Sequence, residues 1–323
     1  ASEMIQINSQ STHEEALAQY VVNKMKALGY DEVVVDRYGS VFGTVFGTEK
    51  GKISASSVTL NCHLDVVDEG DPNKWTYPPY SGAIAEGKIW GRGASDTKGT
   101  FAIQIYTPIM LREAGLLPKG DVVVAGVVSE EIAGFGAMMQ TRDNFMLTDY
   151  AVIGEATEND LAIGCRGRFC AVVTIEGKSC HASLPEMGKN PFDFLGPFLL
   201  GLKNVKLGHD PLFGSSTMSV TNITSSEKGT NIIPNTVVVY IDYRQSGEDT
   251  EEAALAKIQQ VIDDCRIDGI SVGLKALYFP LTTYTGFQGE GYQGEYPFSV
   301  RPDEPYVQLC KQAIEQAVGH LLP

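Results

Sequence analysis

Acidic and histidine side chains gather where apolar runs of this chain stop. "NCHLDVV" places His63 and Asp65 two residues apart, so in an extended segment they share one face. An imidazole that binds a metal usually donates its other N–H to a carboxylate, and the Asp65 side chain stands where such a partner is needed. "GRGASDTKG" (91–99) sets Asp96 in a glycine-rich turn ahead of a helical stretch. It lacks the full phosphate-loop spacing, and Asp96 would repel a phosphate. A carboxylate bridging two cations explains more of that stretch than a simple helix cap does. "VVSEEIAG" (127–134) ends a buried run in two adjacent glutamates, Glu130 and Glu131. Like charges repel, and a dication relieves the repulsion. One glutamate can then be a ligand while the other holds a water and accepts its proton, the two roles being set by environment. Glu155 in "GEAT" is a fourth such position. His63 by itself would read as a satisfied core histidine. With Asp65 at +2 and three more carboxylate clusters at equivalent places, a metal site is the stronger reading.

These residues need elements that hold them on one edge. "SVTLNCHLD" (57–65), "GDVVVAGVVSE" (120–130) and "DYAVIGEAT" (149–157) are short apolar runs, the pattern of strands buried on both faces. A helix is expected over "STHEEALAQYVVNKMKALGY", with a capping box of Thr12 and Glu15 and a Leu17, Val21, Met25, Leu28 face. "TKGTFAIQIYTPIMLREAGLL" reads as another, perturbed near Pro108. Strands alternating with helices indicate an α/β layer with a largely parallel sheet, and ligands of such sheets sit at the C-terminal strand ends. The pattern changes after Gly167. Strand, helix, two strands, helix and strand follow within about 120 residues, the βαββαβ order of a ferredoxin-like unit, with its second helix opened by Asp249 or Thr250. The Gly- and aromatic-rich segment 284–298 reads as a mobile surface loop. A last amphipathic helix carries Val307, Cys310, Ile314 and Val318 on one face.

The bounds agree with a two-domain globular protein. The chain has 323 residues, 43% of them hydrophobic, with 40 acidic against 25 basic residues and a net charge of −15. That balance argues against nucleic acid, whose phosphates need a Lys/Arg surplus, and against an anionic membrane surface. No apolar stretch reaches the ~18 residues of a membrane span. No signal peptide is visible, although Ala1 in place of Met leaves the true start open. The six cysteines are scattered without a framework spacing and read as reduced thiols of a cytoplasmic protein.

Taken in order, "HLD", "GRGASDTKG", "SEEIAG" and "GEAT" resemble the dinuclear zinc exopeptidase and deacylase family of acetylornithine deacetylase, succinyl-diaminopimelate desuccinylase, aminoacylase and carboxypeptidase G. "NKWTYPPYSG", "GKSCHAS", "GTNIIPN" and "IDYRQ" extend the likeness over nearly the whole chain. The resemblance implies a zinc-dependent hydrolase that cleaves the amide bond of a small N-acyl amino acid, with two Zn2+ per subunit and Co2+ or Mn2+ as substitutes. His63 and Glu155 would bind one zinc, Glu131 the second, and Asp96 both. Glu130 would be the general base and Asp65 would orient His63. His181 resembles a lid histidine that polarises the scissile carbonyl, while Asn231 and Arg244 resemble lid residues that hold the substrate carboxylate. Residues 1–167 with 289–323 would form the catalytic domain, and 168–288 an inserted lid through which the protein dimerises.

The family closes its second metal with a histidine near the C-terminus, after a further block of sheet and helix that is absent from this sequence. The only late histidine, His320, stands just past a helix end and is not assigned to the metal. The expectation is that this form holds at most one tight metal and is nearly inactive. A dipeptidase or carboxypeptidase of the same family, or a non-catalytic binding protein on the same scaffold, are the alternatives. A zinc site from Cys165, Cys170, Cys180 and His181 lacks ribbon spacing, and a nicotinamide site lacks G-x-G-x-x-G after a first strand.

Overall fold

The computed structural model describes residues 1–50, 56–246 and 249–319. The chain divides into two units, Ala1–Asp160 with Pro280–Gly291, and Leu161–Phe279 with the chain from Tyr292 on. The sequence boundaries at 167/168 and 288/289 lie several residues away, and the stretch after Tyr292 falls in the second unit instead of the first. Backbone pairing accounts for this. Gly294 and Glu295 pair with Phe169 and Arg168, and Phe298 and Ser299 with Cys165 and Gly164.

In the first unit helix α1 (Glu15–Ala27) buries Leu17, Val21 and Met25 completely, each such side chain stabilising the fold by roughly 1.5–3 kcal/mol. The expected Thr12–Glu15 capping box does not form. Thr12 has φ 70°, and Glu14 is the N-cap, without a side-chain bond to the helix; its carboxylate turns inward instead. A hairpin not read from the sequence follows, β1 (Glu32–Val35) and β2 (Val41–Val45), paired antiparallel. The Asp36 carboxylate makes its turn by accepting from the amides of Tyr38, Gly39 and Ser40. The three apolar runs become β3 (Val58–His63), β4 (Val122–Val127) and β5 (Tyr150–Ile153). The sheet order is β1-β2-β4-β3-β5. β3 lies parallel to both neighbours, with His63 opposite Val127 and Asn61 opposite Ile153, while β2 runs antiparallel to β4. The sheet is therefore mixed, parallel where the acidic residues cluster. Helix α2 (Gly99–Glu113) runs through Pro108 unbroken and buries Phe101 and Ile105 against β3 and β4.

Segment 280–291 is docked in this unit rather than hanging free. The Tyr284 hydroxyl donates to the Gly39 carbonyl at 2.8 Å, Thr285 donates to the Arg37 carbonyl, and Phe287 packs edge-on against Tyr38. The expected mobile loop is anchored by its own aromatic residues.

The second unit has the expected βαββαβ order: β6 (Gly167–Glu176), α3 (Pro191–Leu202), β7 (Thr217–Ser225), β8 (Thr236–Gln245), α4 (Glu251–Asp264) and β9 (Ser271–Ala276). The sheet order is β7-β8-β6-β9, all antiparallel. Period-2 alternation sends Phe169, Ala171, Val173 and Ile175 of β6, and Val237, Val239, Ile241 and Tyr243 of β8, into one core. Phe194 and Phe198 of α3 and Ile258 of α4 close it. Thr250, not Asp249, caps α4 by accepting from the Ala253 amide. Asp249 is buried and accepts from Tyr243, Lys257 and the Gly208 amide. In the last described helix, α5 (Pro305–Val318), Val307 is buried, Cys310 and Ile314 are half-buried and Val318 is exposed. His320 lies outside the described residues.

Candidate metal centre

Parallel pairing of β3, β4 and β5 brings three strand ends to one edge of the first unit. His63 ends β3, Glu130 and Glu131 follow β4, and Glu155 follows β5. Asp96 reaches the same place from the turn before α2. Gly93 makes that turn, with φ 77° and no room for a side chain, since a Cβ there would lie 2.6 Å from Val66 Cγ1. His63 Nε2 stands 2.8 Å from Asp96 Oδ1, 3.8 Å from Glu155 and 4.0 Å from Glu130. Donor atoms of His63, Asp96 and Glu131, and of His63, Glu130 and Glu155, converge as two groups each within 4.8 Å.

The histidine is buried, and its Nδ1 lies 2.9 Å from the Asp65 main-chain carbonyl. That carbonyl can only accept, so Nδ1 carries the proton and Nε2 is presented to the cluster. The orienting group is thus the backbone of Asp65, whose carboxylate stays 3.6 Å away. The fully buried carboxylate does different work. Oδ1 accepts from the Glu130 amide at 2.9 Å, and Oδ2 accepts from the Glu131 amide at 3.1 Å and the Ser11 hydroxyl at 2.7 Å. Asp65 therefore grips the turn that carries the glutamate pair. The short helix Glu130–Ala133 begins after Ser129, held in the left-handed region at φ 53°, and ends at Gly134, φ 56°. Buried Lys98 donates to the Ile7 carbonyl at 2.8 Å; burial, opposed by Asp65, lowers its pKa to about 8.

Five carboxylates around one imidazole create an excess of negative charge. Burial raises the Glu130 carboxyl to about 7; Glu155, Asp65 and Glu131 push the same way, and His63 opposes them. Glu131 and Glu155 are raised too, first by burial and then by neighbouring Asp96. Burial by itself would lower His63, but Asp65, Asp96 and Glu130 drive it up to about 11. A site whose three glutamates resist ionising, and whose one base holds its proton beside an Asp96 held down by it, is short of positive charge. One neutral imidazole with oxygen donors suits zinc and other divalent ions. The residues present fit such a group.

The other sequence candidates lie in the second unit. His181 is exposed in a two-residue ladder, Cys180–His181 against Ile232–Ile233, and the Ala182 amide donates to the Asn231 carbonyl at 2.9 Å. His181 and Asn231 are thus neighbours across two short strands. The Ser183 amide donates to His181 Nδ1 at 3.2 Å, so the neutral ring carries its proton on Nε2. Arg244, near the end of β8, donates through Nε to Asp242, which also accepts from Arg168. Ser11, Glu14 and Lys98 were not read from the sequence. Nothing in their spacing separates Glu14 from a solvent-facing helix residue, while a lysine so close to Asp96 in "SDTKG" was the one visible signal.

The profile of peptidase family M20/M25/M40 matches residues 59–323. The uncharacterised protein YgeY of Escherichia coli K12 is 29% identical over 260 residues, which cover 80% of this chain and 63% of YgeY. A succinyl-diaminopimelate desuccinylase of Psychrobacter arcticus is 30% identical over 270 residues, covering 80% of this chain and 62% of that protein. This chain thus spans less than two thirds of either relative. Among solved structures, an M20 family metallo-carboxypeptidase from Sulfolobus solfataricus shares the fold, with a TM-score of 0.71, 15% identity, and coverage of 100% of this chain and 84% of that one.

Proposed function

This chain belongs to peptidase family M20/M25/M40, and on that premise we propose that it is a metal-dependent hydrolase of the amide bond in a small N-acyl amino acid. The observation that carries this reading is the convergence of His63, Asp96, Glu130, Glu131 and Glu155 at the ends of β3, β4 and β5. His63, Asp96 and Glu155 would hold one divalent ion, with Asp96 shared and Glu131 serving a second. Zinc bound there would supply Lewis acidity, making water a nucleophile near neutral pH and polarising an amide carbonyl.

The chain's own residues do the rest. Glu130 takes the proton of the attacking water and returns it to the leaving amine. Asp65 holds the Glu130 and Glu131 amides and, through its carbonyl, the His63 ring. His181, protonated on Nε2, donates to the carbonyl oxygen as charge develops there. Arg244 and Asn231 hold the substrate carboxylate, a role suited to a guanidinium fork. The Asp242 pair limits how far Arg244 can swing. Dimerisation is assigned to the second unit, where β7 is an edge strand with nearly every residue exposed. No described helix is long and apolar enough to cross a membrane, and all six cysteines are free thiols; a cytoplasmic location accords with the latter.

The test is a panel of N-acyl amino acids and dipeptides, assayed with the zinc-loaded chain and with the metal-stripped chain. Metal-dependent release of the free amino acid supports the reading. Preference for dipeptides would shift it to the peptidase branch, and metal binding without turnover on any member would leave a binding protein on this scaffold.

A further inference from the structure

Three consecutive amides lead into the glutamate pair, and two buried carboxylates accept all three. Asp65 takes those of Glu130 and Glu131. The amide of Ser129 goes to Glu14 Oε1 at 3.0 Å, and the Ser129 hydroxyl to the same oxygen at 3.1 Å. Glu14 is fully buried, and the Thr12 amide also donates to Oε1 at 3.0 Å. Its other oxygen, Oε2, is buried with no hydrogen-bond partner among the described residues. The arrangement is unfavourable taken alone, because a buried carboxylate with an unsatisfied oxygen is destabilising. Ser129 adds strain as a non-glycine residue at φ 53°, ψ 40°. Nor does the short helix cap itself, since its N-cap Ser129 makes no side-chain bond to it.

We infer that Glu14 is a positioning residue for the Glu130–Glu131 pair, holding Ser129 in the left-handed conformation that aims both glutamates at His63 and Asp96. The inference rests on the metallohydrolase reading and adds to it a residue 115 positions away in the sequence. The strain at Ser129 and the orphaned oxygen of Glu14 persist because they set the direction of the next two side chains. Among the described residues the Glu14 carboxylate bonds only to Thr12 and Ser129, and to none of the metal donors. It acts only through the backbone of the turn.

The test uses the metal-stripped chain as wild type, Glu14→Gln and Glu14→Ala. Two readouts apply: hydrogen exchange at individual amides, and titration with Co2+ followed by visible absorption. In Glu14→Ala the amides of residues 129–131 should exchange faster while those of β4 keep their protection. The second equivalent of cobalt, the one that needs Glu131, should move to about 10- to 100-fold higher concentration, with the first equivalent unmoved. Glu14→Gln keeps an acceptor without its charge and should fall between the two. If Glu14→Ala does not fold, Glu14→Gln decides by the same readouts in the same direction. Unchanged exchange at 129–131 in a folded variant overturns the inference. So does faster exchange spread evenly through α1 and β4 with both cobalt equivalents unmoved, which marks a merely structural residue. Neither readout needs turnover, so a wild-type chain that hydrolyses no amide would refute the hydrolase reading and leave this one to be judged on its own data.

Discussion

Glu130→Gln separates a base from a ligand. The substitution keeps the side-chain volume, and the Glu130 main-chain amide still donates to Asp65, so the turn keeps its shape. Glu130 Oε2 lies 4.0 Å from His63 Nε2, and the residue also belongs to the His63–Glu155 donor group. Geometry therefore allows either role, and energetics must decide. A general base contributes about 10²–10⁴ in rate, or roughly 3–5 kcal/mol of transition-state stabilisation, and a glutamine cannot accept the proton. As a base, then, Glu130→Gln should lower kcat by that range, leave KM nearly unchanged, and keep the first metal equivalent. As a ligand, its loss should weaken the metal by more than the ~10–100-fold typical of residues one shell further out. The assays are steady-state kinetics on the best substrate of the panel and metal content by atomic emission after dialysis. Metal lost in step with activity would refute the base assignment. Unimpaired kcat with full metal would refute the whole placement of the water between Glu130 and the ions.

Three further outcomes follow from the same structure. Among the described residues both donor groups share His63, so a second ion would have only Asp96 and Glu131; zinc titration should show one tight equivalent, and two tight equivalents in the isolated chain would refute this count of donors. Gly93→Ala puts a Cβ 2.6 Å from Val66 Cγ1 at φ 77° and should destabilise the first unit by about 2–4 kcal/mol, read as a lower Tm together with weaker metal binding through a displaced Asp96. Burial by itself would raise the Asp249 carboxyl, but Lys257 and Tyr243 outweigh it and hold it down to about 2. Since the folded value lies below the unfolded 3.8, this stabilisation of about 2 kcal/mol is present above pH 3.8 and is lost as pH falls toward 2; Asp249→Asn should remove it and flatten the acid limb of unfolding.

The candidate metal cluster was legible because its signal is local. Apolar runs of strand length end in His63, Glu130–Glu131 and Glu155, and parallel pairing puts such ends on one edge whatever the details of packing. The βαββαβ unit was legible for a similar reason, since the alternation in Phe169–Ile175 and Val237–Tyr243 names the buried face outright. What failed depends on where a side chain turns. Thr12 and Glu15 have the spacing of a capping box, but tertiary partners at Ser129 draw Glu14 inward and leave Thr12 at φ 70°. The β1–β2 hairpin lacks an Asn-Gly turn. Its turn is made by one aspartate accepting three amides, which Asp36-Arg-Tyr-Gly39 signals only weakly. Segment 284–298 has the composition of a mobile loop; only the contacts of Tyr284, Thr285 and Phe287 with Gly39, Arg37 and Tyr38, and the pairing of Phe298 with Cys165, show where its parts go.

Two adjacent glutamates at the end of a buried strand now have a physical account. Their side chains are kept apart by a turn that starts in the left-handed region at Ser129 and closes at Gly134. That turn is held from below by carboxylates the chain sends from two other places, Glu14 just ahead of α1 and Asp65 past the end of β3. Acids in this arrangement work against one another: after burial, Asp65 raises Glu14, and Asp65 and Glu131 both raise Glu130. Such crowding is costly without cations and is relieved by them, so binding free energy and folding free energy are linked in the first unit. Divalent metal should raise the melting temperature of the first unit, and Glu131→Gln should reduce that increment while making the metal-free protein more stable than wild type, because it removes one of the repelling charges. A metal-free Glu131→Gln protein that melts below wild type would show that the glutamate pair is held by favourable contacts of its own and not kept under strain for an ion.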